Sequence, residues 1–141
     1  MKGTIEKIEH EIALLSRLTA ALNPKNARLD RSGYLLLSKL VTSSPQAINA
    51  MAEDLKLNVS TASRQVAALE EKGFVRRFPD SSNKRISLID ITDQGETVYR
   101  QVKKSRAEAY TEILRNWTEE DLRVLEKMLG RLTESLLDWE P

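Results

Sequence analysis

Two groups of side chains in this 141-residue chain have the types and spacing for recognition chemistry. The first is Ser60, Thr61, Ser63, Arg64 and Gln65. Short hydroxyls let a backbone come close to a partner, and a guanidinium offers a fork of donors that matches the O6 and N7 acceptors of guanine. The second group is cationic: Arg76 with Arg77, then Lys84 with Arg85. Such groups pair with phosphate oxygens or enter a narrow, electronegative groove. Material for catalysis is thinner. His10 is the only histidine, with Glu6 four residues before it and Glu11 beside it. Glu6 and His10 could share a metal on one helix face, but two such groups more often form a surface pair. No glycine-rich phosphate loop, nucleophile elbow or His-Glu-x-x-His pattern occurs, so neither an enzyme nor a cofactor or metal is expected.

The elements around these residues decide what they can do. Ala47, Ile48, Met51, Ala52 and Leu55 form the apolar stripe of a short helix. Asn58 is a good cap for a second helix from near Val59, along which Val59, Ala62, Val66 and Leu69 face inward. The hydroxyl and Arg group then lies on the outer face of that helix's first turns. An ordinary solvated helix start would also be rich in Ser and Thr. Gly73 can take the left-handed conformation that ends a helix. Phe74 to Phe78 reads as a strand, Pro79 to Asn83 as a turn, and Ile86 to Ile91 as a returning strand with alternating character. Lys84 and Arg85 thereby stand at the tip of a hairpin. Order and chemistry together describe a helix, a turn, a reading helix and a basic wing.

Charge is segregated accordingly. The chain has a net charge of +1, yet residues 56–85 carry seven Lys/Arg against three acids. A basic segment in an otherwise acidic chain suits contact with phosphates, although charge clusters also arise on plain solvated surfaces. Zero cysteines exclude disulfides, thiolate metal sites and cysteine-based redox sensing. No apolar run approaches the ~18 residues of a membrane span, and the charged start lacks a signal-peptide core, so a soluble cytoplasmic protein is expected.

The ends read as helices that need a partner. Ile5, Ile8, Ile12, Leu15 and Leu22 follow three-four spacing, and Leu122, Leu125, Leu129, Leu132, Leu136 and Trp139 do so more cleanly. A heptad seam wants another helix, either from the same chain or from a second copy, and the second copy is favoured here. Thr118 caps the last helix, Asp30 caps one over Arg31 to Val41 with core residues Tyr34 to Leu37, Leu40 and Val41, and Thr92 caps a connector reaching about Asn116. Asn23 to Asn26 is expected as a loop. The charged stretch Lys103, Lys104, Arg106 is read as a solvated face.

The segment resembles the signature of MarR-type bacterial transcription regulators, an Asp-x-Arg followed after five residues by Leu-Thr. Here it stands as Asn83-Lys84-Arg85, then Ile86 to Asp90, then Ile91-Thr92, with Asp93-Gln94-Gly95 following. Ala52 to Leu55 and Ser60 to Arg64 match that family's wording too, and the resemblance spans essentially the whole chain. Asn83 stands where Asp is usual, which would replace a wing ion pair by a neutral hydrogen bond; Lys56 stands where a turn glycine is common, and Gln65 where an apolar residue is frequent. The resemblance implies a single mainly α domain, a winged helix-turn-helix with a two-stranded β wing. Residues 29–95 would form the DNA-binding lobe, and residues 1–28 and 96–141 the N- and C-terminal dimerisation helices. It implies a homodimer joined through Ile5, Ile8, Ile12, Leu15 and the Leu122 to Trp139 seam.

The expected function is sequence-specific binding of double-stranded DNA by a ligand-responsive repressor on a pseudo-palindromic operator. Ser60, Thr61, Ser63, Arg64 and Gln65 would read the major groove, Lys84 and Arg85 the minor groove or its phosphates, and Arg76 and Arg77 the backbone. A small aromatic or phenolic effector is implied where the dimer helices meet the lobe, with Tyr34, Arg17 and His10 nearby. The rival reading is a winged-helix module for protein–protein contact, and a third is a small-molecule binder with vestigial DNA affinity.

Overall fold

The computed structural model describes residues 1–22 and 29–141, so the expected loop at Asn23 to Asn26 and the lobe boundary at residue 28 lie outside the described residues. Its elements are α1 (Lys2–Ala20), α2 (Arg31–Thr42), β1 (Gln46–Ala47), α3 (Ile48–Asp54), α4 (Val59–Glu71), β2 (Val75–Pro79), β3 (Ser87–Ile91), α5 (Asp93–Ile113) and α6 (Glu119–Asp138). The fold is mainly helical with a small β wing, β2 and β3, flanked by helices.

Local chemistry sets the boundaries. The Asp30 carboxylate accepts from the Gly33 N–H at 2.7 Å to start α2. Asn58 Oδ1 accepts from the Ser60 and Thr61 N–H groups at 2.8 and 3.3 Å to start α4. Thr92 and Thr118 cap α5 and α6 through the Gly95 and Asp121 N–H groups. Each oxygen satisfies a backbone donor that has no partner inside the helix. At the far end of α4, Gly73 takes φ +81°, a conformation in which a Cβ would crowd the chain.

Among the described residues, every buried hydrophobic residue lies between Leu29 and Val102. Leu36, Leu37 and Leu40 of α2, Met51 and Ala52 of α3, Ala62, Val66 and Leu69 of α4, Phe74, Ile89 and Val98 close one core. That core fixes α3 and α4 against each other and the wing against α4. Neither α1 nor α6 contributes a buried residue.

The structure departs from the sequence reading at several points. Ala47 is the N-cap of α3, not its first residue, and with Gln46 it forms a third strand, giving the sheet order β1-β3-β2. Gln46 pairs with Ile89 and Ala47 with Leu88, a two-residue strand too short to show any periodicity. Val59, expected inside, is 50% exposed because it opens the first turn of α4 beyond the edge of α3. Leu35 is also exposed, since α2 presents only one side to the core. Leu22 and Trp139 fall just outside α1 and α6, so each seam loses its last step. The connector α5 ends at Ile113, short of Asn116.

Candidate nucleic-acid interface

The outer face of α4 starts from its cap. The Ser60 hydroxyl donates to the same Asn58 oxygen that caps the helix, so its remaining capacity is as an acceptor. Arg64 is exposed and reaches back to Thr61 Oγ1 at 3.5 Å, while Thr61, Ser63 and Gln65 are half-buried along the flanks. No acid pairs with Arg64 among the described residues. The side chain is therefore held over the start of α4 by a weak neutral contact and keeps its donors for a partner.

The wing is a register-matched hairpin in which Val75 faces Ile91 and Pro79 faces Ser87. Ile89 is fully buried and anchors it to the core. The loop beyond is shaped by side-chain oxygens. Asp80 accepts from the N–H and hydroxyl of Ser82 at 3.0 Å, and Asn83 Oδ1 accepts from the Arg85 N–H at 3.1 Å. Asn83 thus keeps a neutral hydrogen bond, but to the backbone of Arg85 and not to a guanidinium. Asp80 N–H to Ile86 carbonyl, at 2.9 Å, closes the base. Lys84 and Arg85 both stand exposed on this loop with no acidic partner among the described residues.

Arg76 and Arg77 behave differently. Arg76 donates to Asp90 at 3.2 Å and lies 5.3 Å from the centre of the Phe78 ring. Asp90 also accepts from the Ser44 hydroxyl, and Ser44 Oγ in turn accepts from the Ile91 N–H at 3.4 Å. The Ser44 hydroxyl first, opposed by burial and then joined by Arg76 and the Ile91 N–H, holds the Asp90 carboxyl below the usual aspartate range. Arg77 offers its Nε edge to Glu70 at 3.7 Å. It also lines a cleft of about 270 Å³ between α3, α4 and the wing, together with Asn49, Ser63, Arg85 and Ser87. The structure therefore separates Lys84, on the wing loop, from Arg85, whose side chain also faces this crease.

With the helix-turn-helix and wing in place, the comparisons are specific. The MarR family profile matches residues 29–87. YxaD, an HTH-type transcriptional regulator of Bacillus subtilis (strain 168), is 35% identical over 140 residues, covering 97% of this chain and 98% of its own. This chain belongs to the MarR family. The crystal structure of the transcriptional regulator SlyA is similar at a TM-score of 0.80 with 28% identity, covering 93% and 94% of the two chains. A crystal structure of MarR shares the fold at a TM-score of 0.80 with 20% identity over 94% of this chain and 98% of that one. Membership makes the chain a DNA-binding winged helix-turn-helix regulator of transcription, in a family whose members generally bind DNA as homodimers.

Two features of this MarR-family chain flank the reading head. The terminal helices present their apolar stripes to solvent in the single chain: Ile5 is 58% exposed and Leu136 58%, with Ile8, Ile12, Leu15, Leu129 and Trp139 also exposed. Leu122, Leu125 and Leu132 are half-buried. The second feature is a cavity of about 470 Å³ where the end of α1, α2 and α5 meet. Arg31, Lys103 and Arg106 line it beside Leu22, Tyr34, Leu35 and Tyr110. Tyr34 stacks on Tyr99 at 5.1 Å, with Arg106 4.4 Å over the Tyr34 ring. Burial first, and then Tyr99, push the Tyr34 phenol up, which keeps it a neutral donor, while Arg106 acts in the opposite sense. The Lys103 to Arg106 stretch is thus not simply a solvated face. The four-three-four spacing of Tyr99, Lys103, Arg106 and Tyr110 along α5 was the signal available in the sequence. Tyr34 lines the cavity, whereas Arg17 and His10 are not among its lining residues.

Among the described residues, no helix is long and apolar enough to cross a membrane, and no group of three or more His, Cys, Asp or Glu is placed to hold a metal.

Proposed function

We propose that this protein is a ligand-responsive repressor acting in the cytoplasm as a homodimer on a pseudo-palindromic duplex operator. The observation that carries the reading is the unneutralised Arg64 on the exposed start of α4 with unneutralised Lys84 and Arg85 on the wing beside it. In this reading α4 enters the major groove with Ser60, Thr61, Ser63 and Gln65 around Arg64, which makes the bidentate contact to guanine. Lys84 and Arg85 meet the minor groove or its phosphates, and Arg76 and Arg77 the backbone. Ile5, Ile8, Ile12, Leu15 and the seam from Leu122 through Leu125, Leu129, Leu132 and Leu136 to Trp139 join the two copies. Two-fold symmetry then sets half-sites about one helical turn, ~34–36 Å, apart.

The effector in this reading is a small aromatic or phenolic anion in the α1, α2, α5 cavity. Three cations and two tyrosines favour a flat ring bearing a carboxylate. To release DNA it must bind the two spacings of the reading heads unequally, since a ligand with equal affinity for both shifts nothing.

The test is a titration of duplex from the chain's own upstream region against salt. Several phosphate contacts should give a steep negative slope of log affinity against log salt, shallower for Arg85→Ala. Arg64→Ala should cost ~1–3 kcal/mol on the preferred duplex and little on random DNA. Equal losses on both would make Arg64 a positioning contact only. A flat salt response would remove the DNA reading and leave the protein-docking one.

A further inference from the structure

The crease between α3, α4 and the wing has features that neither a reading helix nor a wing tip requires. Two arginines, Arg77 from β2 and Arg85 from the wing loop, line one small cleft with Asn49, Ser63 and Ser87 and the apolar Ala47, Ile48 and Ile86. No acid lines it among the described residues, and Glu70 meets Arg77 at Nε, 3.7 Å away. That contact braces Arg77 while leaving the outer edge of its guanidinium open. Like charges brought into one cleft repel each other, and an anion between them turns that cost into attraction. At about 270 Å³ the cleft is also below the ~300–1,000 Å³ typical of small-molecule sites. Its size and lining suit a single oxyanion group.

Duplex geometry identifies the anion. If α4 occupies a major groove and the wing the adjacent minor groove, the ridge between those grooves is one sugar-phosphate strand, and it must run through the crease separating α4 from the wing. The geometry points to a phosphodiester seat: one DNA phosphate per protomer, on the strand separating the two grooves, is held between Arg77 and Arg85, with Ser63, Ser87 and Asn49 donating to its oxygens. The seat rests on the duplex-binding reading above and adds what that reading lacks, a fixed point that sets the register of α4 along the groove. Asn49 and Ser87 acquire a role that their sequence positions do not suggest. Glu70 becomes a positioning residue for Arg77.

A phosphate-charge scan tests it with the full-length protein. A duplex selected by the chain from a random pool is prepared with one neutral methylphosphonate at a time, walked along each half-site. One position should weaken the wild type about tenfold, as expected for a charge-assisted contact. Arg77→Ala and, separately, Arg85→Ala should weaken the unmodified duplex by a similar factor and add no further loss on the duplex neutralised at that position. Arg85→Ala keeps the scan informative if Arg77→Ala perturbs β2, because the Arg85 side chain has no ion-pair partner among the described residues to lose. Losses that multiply at every position would overturn the seat while leaving DNA binding intact. A wild type that binds no duplex would remove the parent reading and the seat with it. Millimolar inorganic phosphate at constant ionic strength should leave duplex affinity unchanged. Inorganic phosphate that the wild type binds and neither Arg variant binds, with the duplex still bound at full affinity, would assign the cleft to a free anion and overturn the phosphodiester.

Discussion

Lys56 occupies a position whose backbone favours glycine. It is the one non-glycine residue with positive φ among those described, at 55°, in the turn between α3 and α4. The left-handed region brings Cβ against the carbonyl and costs an L-residue roughly 1–2 kcal/mol, part of which glycine's larger unfolded-state entropy would give back. Lys56→Gly should therefore stabilise the protein by ~0.5–1 kcal/mol, read as a higher urea midpoint with an unchanged slope. The exposed 3.5 Å contact from Lys56 Nζ to the Trp139 carbonyl is too weak to reverse the sign. Asp90 gives a pH prediction. Its folded-state pKa lies below the ordinary 3.8, so the stability it supplies is complete above that value and is lost as pH falls through the folded value. Asp90→Asn should flatten that acid limb in denaturation curves taken from neutral pH down to about pH 3. An unchanged limb would mean that other carboxylates dominate.

Among the elements, the junction of wing and connector is held by three hydrogen bonds and a close backbone approach. The Phe74 carbonyl accepts from the Thr92 N–H at 3.0 Å, the Thr92 hydroxyl donates to the Gly73 carbonyl at 2.7 Å, and that hydroxyl oxygen accepts from the Gly95 N–H at 3.0 Å. A Cβ on Gly95 would stand 2.1 Å from the Phe74 carbonyl oxygen, backbone that cannot swing aside. Gly95→Ala should destabilise by about 1–3 kcal/mol or more, seen as a fall in thermal midpoint. This joint also shows what was readable beforehand. Asn58, Thr92 and Thr118 announced their helices because capping is local chemistry, and Ala62, Val66 and Leu69 announced an inner face because burial repeats with the helix period. The two-residue β1 has no period to detect. Val59 and Leu35 are apolar yet exposed because burial depends on which side of a helix meets a neighbour and on where that neighbour ends. The cleft residues Asn49, Ser63, Arg77, Arg85 and Ser87 come from four separate segments, and only their packing brings them to one place.

The whole molecule is divided by where its core lies. With every buried hydrophobic residue among those described between Leu29 and Val102, the core is closed within one chain, whereas α1 and α6 keep their apolar stripes in solvent. Leu129→Asp, at a position already 46% exposed, should leave the lobe folded but yield monomers by sedimentation. Operator affinity should then fall by ~100-fold or more as the second head loses its tether. A dimer that survives would place the interface elsewhere. Seen along α5, the locked joint at Gly95 would be the fulcrum of any swing of that helix. Arg106, in the wall of the junction cavity, lies 11 residues further along the same helix, an arm of roughly 17 Å at the rise of an α-helix. A rigid swing of the ~15° known for subunit rotations would carry that end about 4 Å, and because the wing root is bolted to the fulcrum, the wing would have to turn with it. If the proposed effector occupies that cavity, a guest only a few ångströms wide would be geared directly to the pitch of the wing.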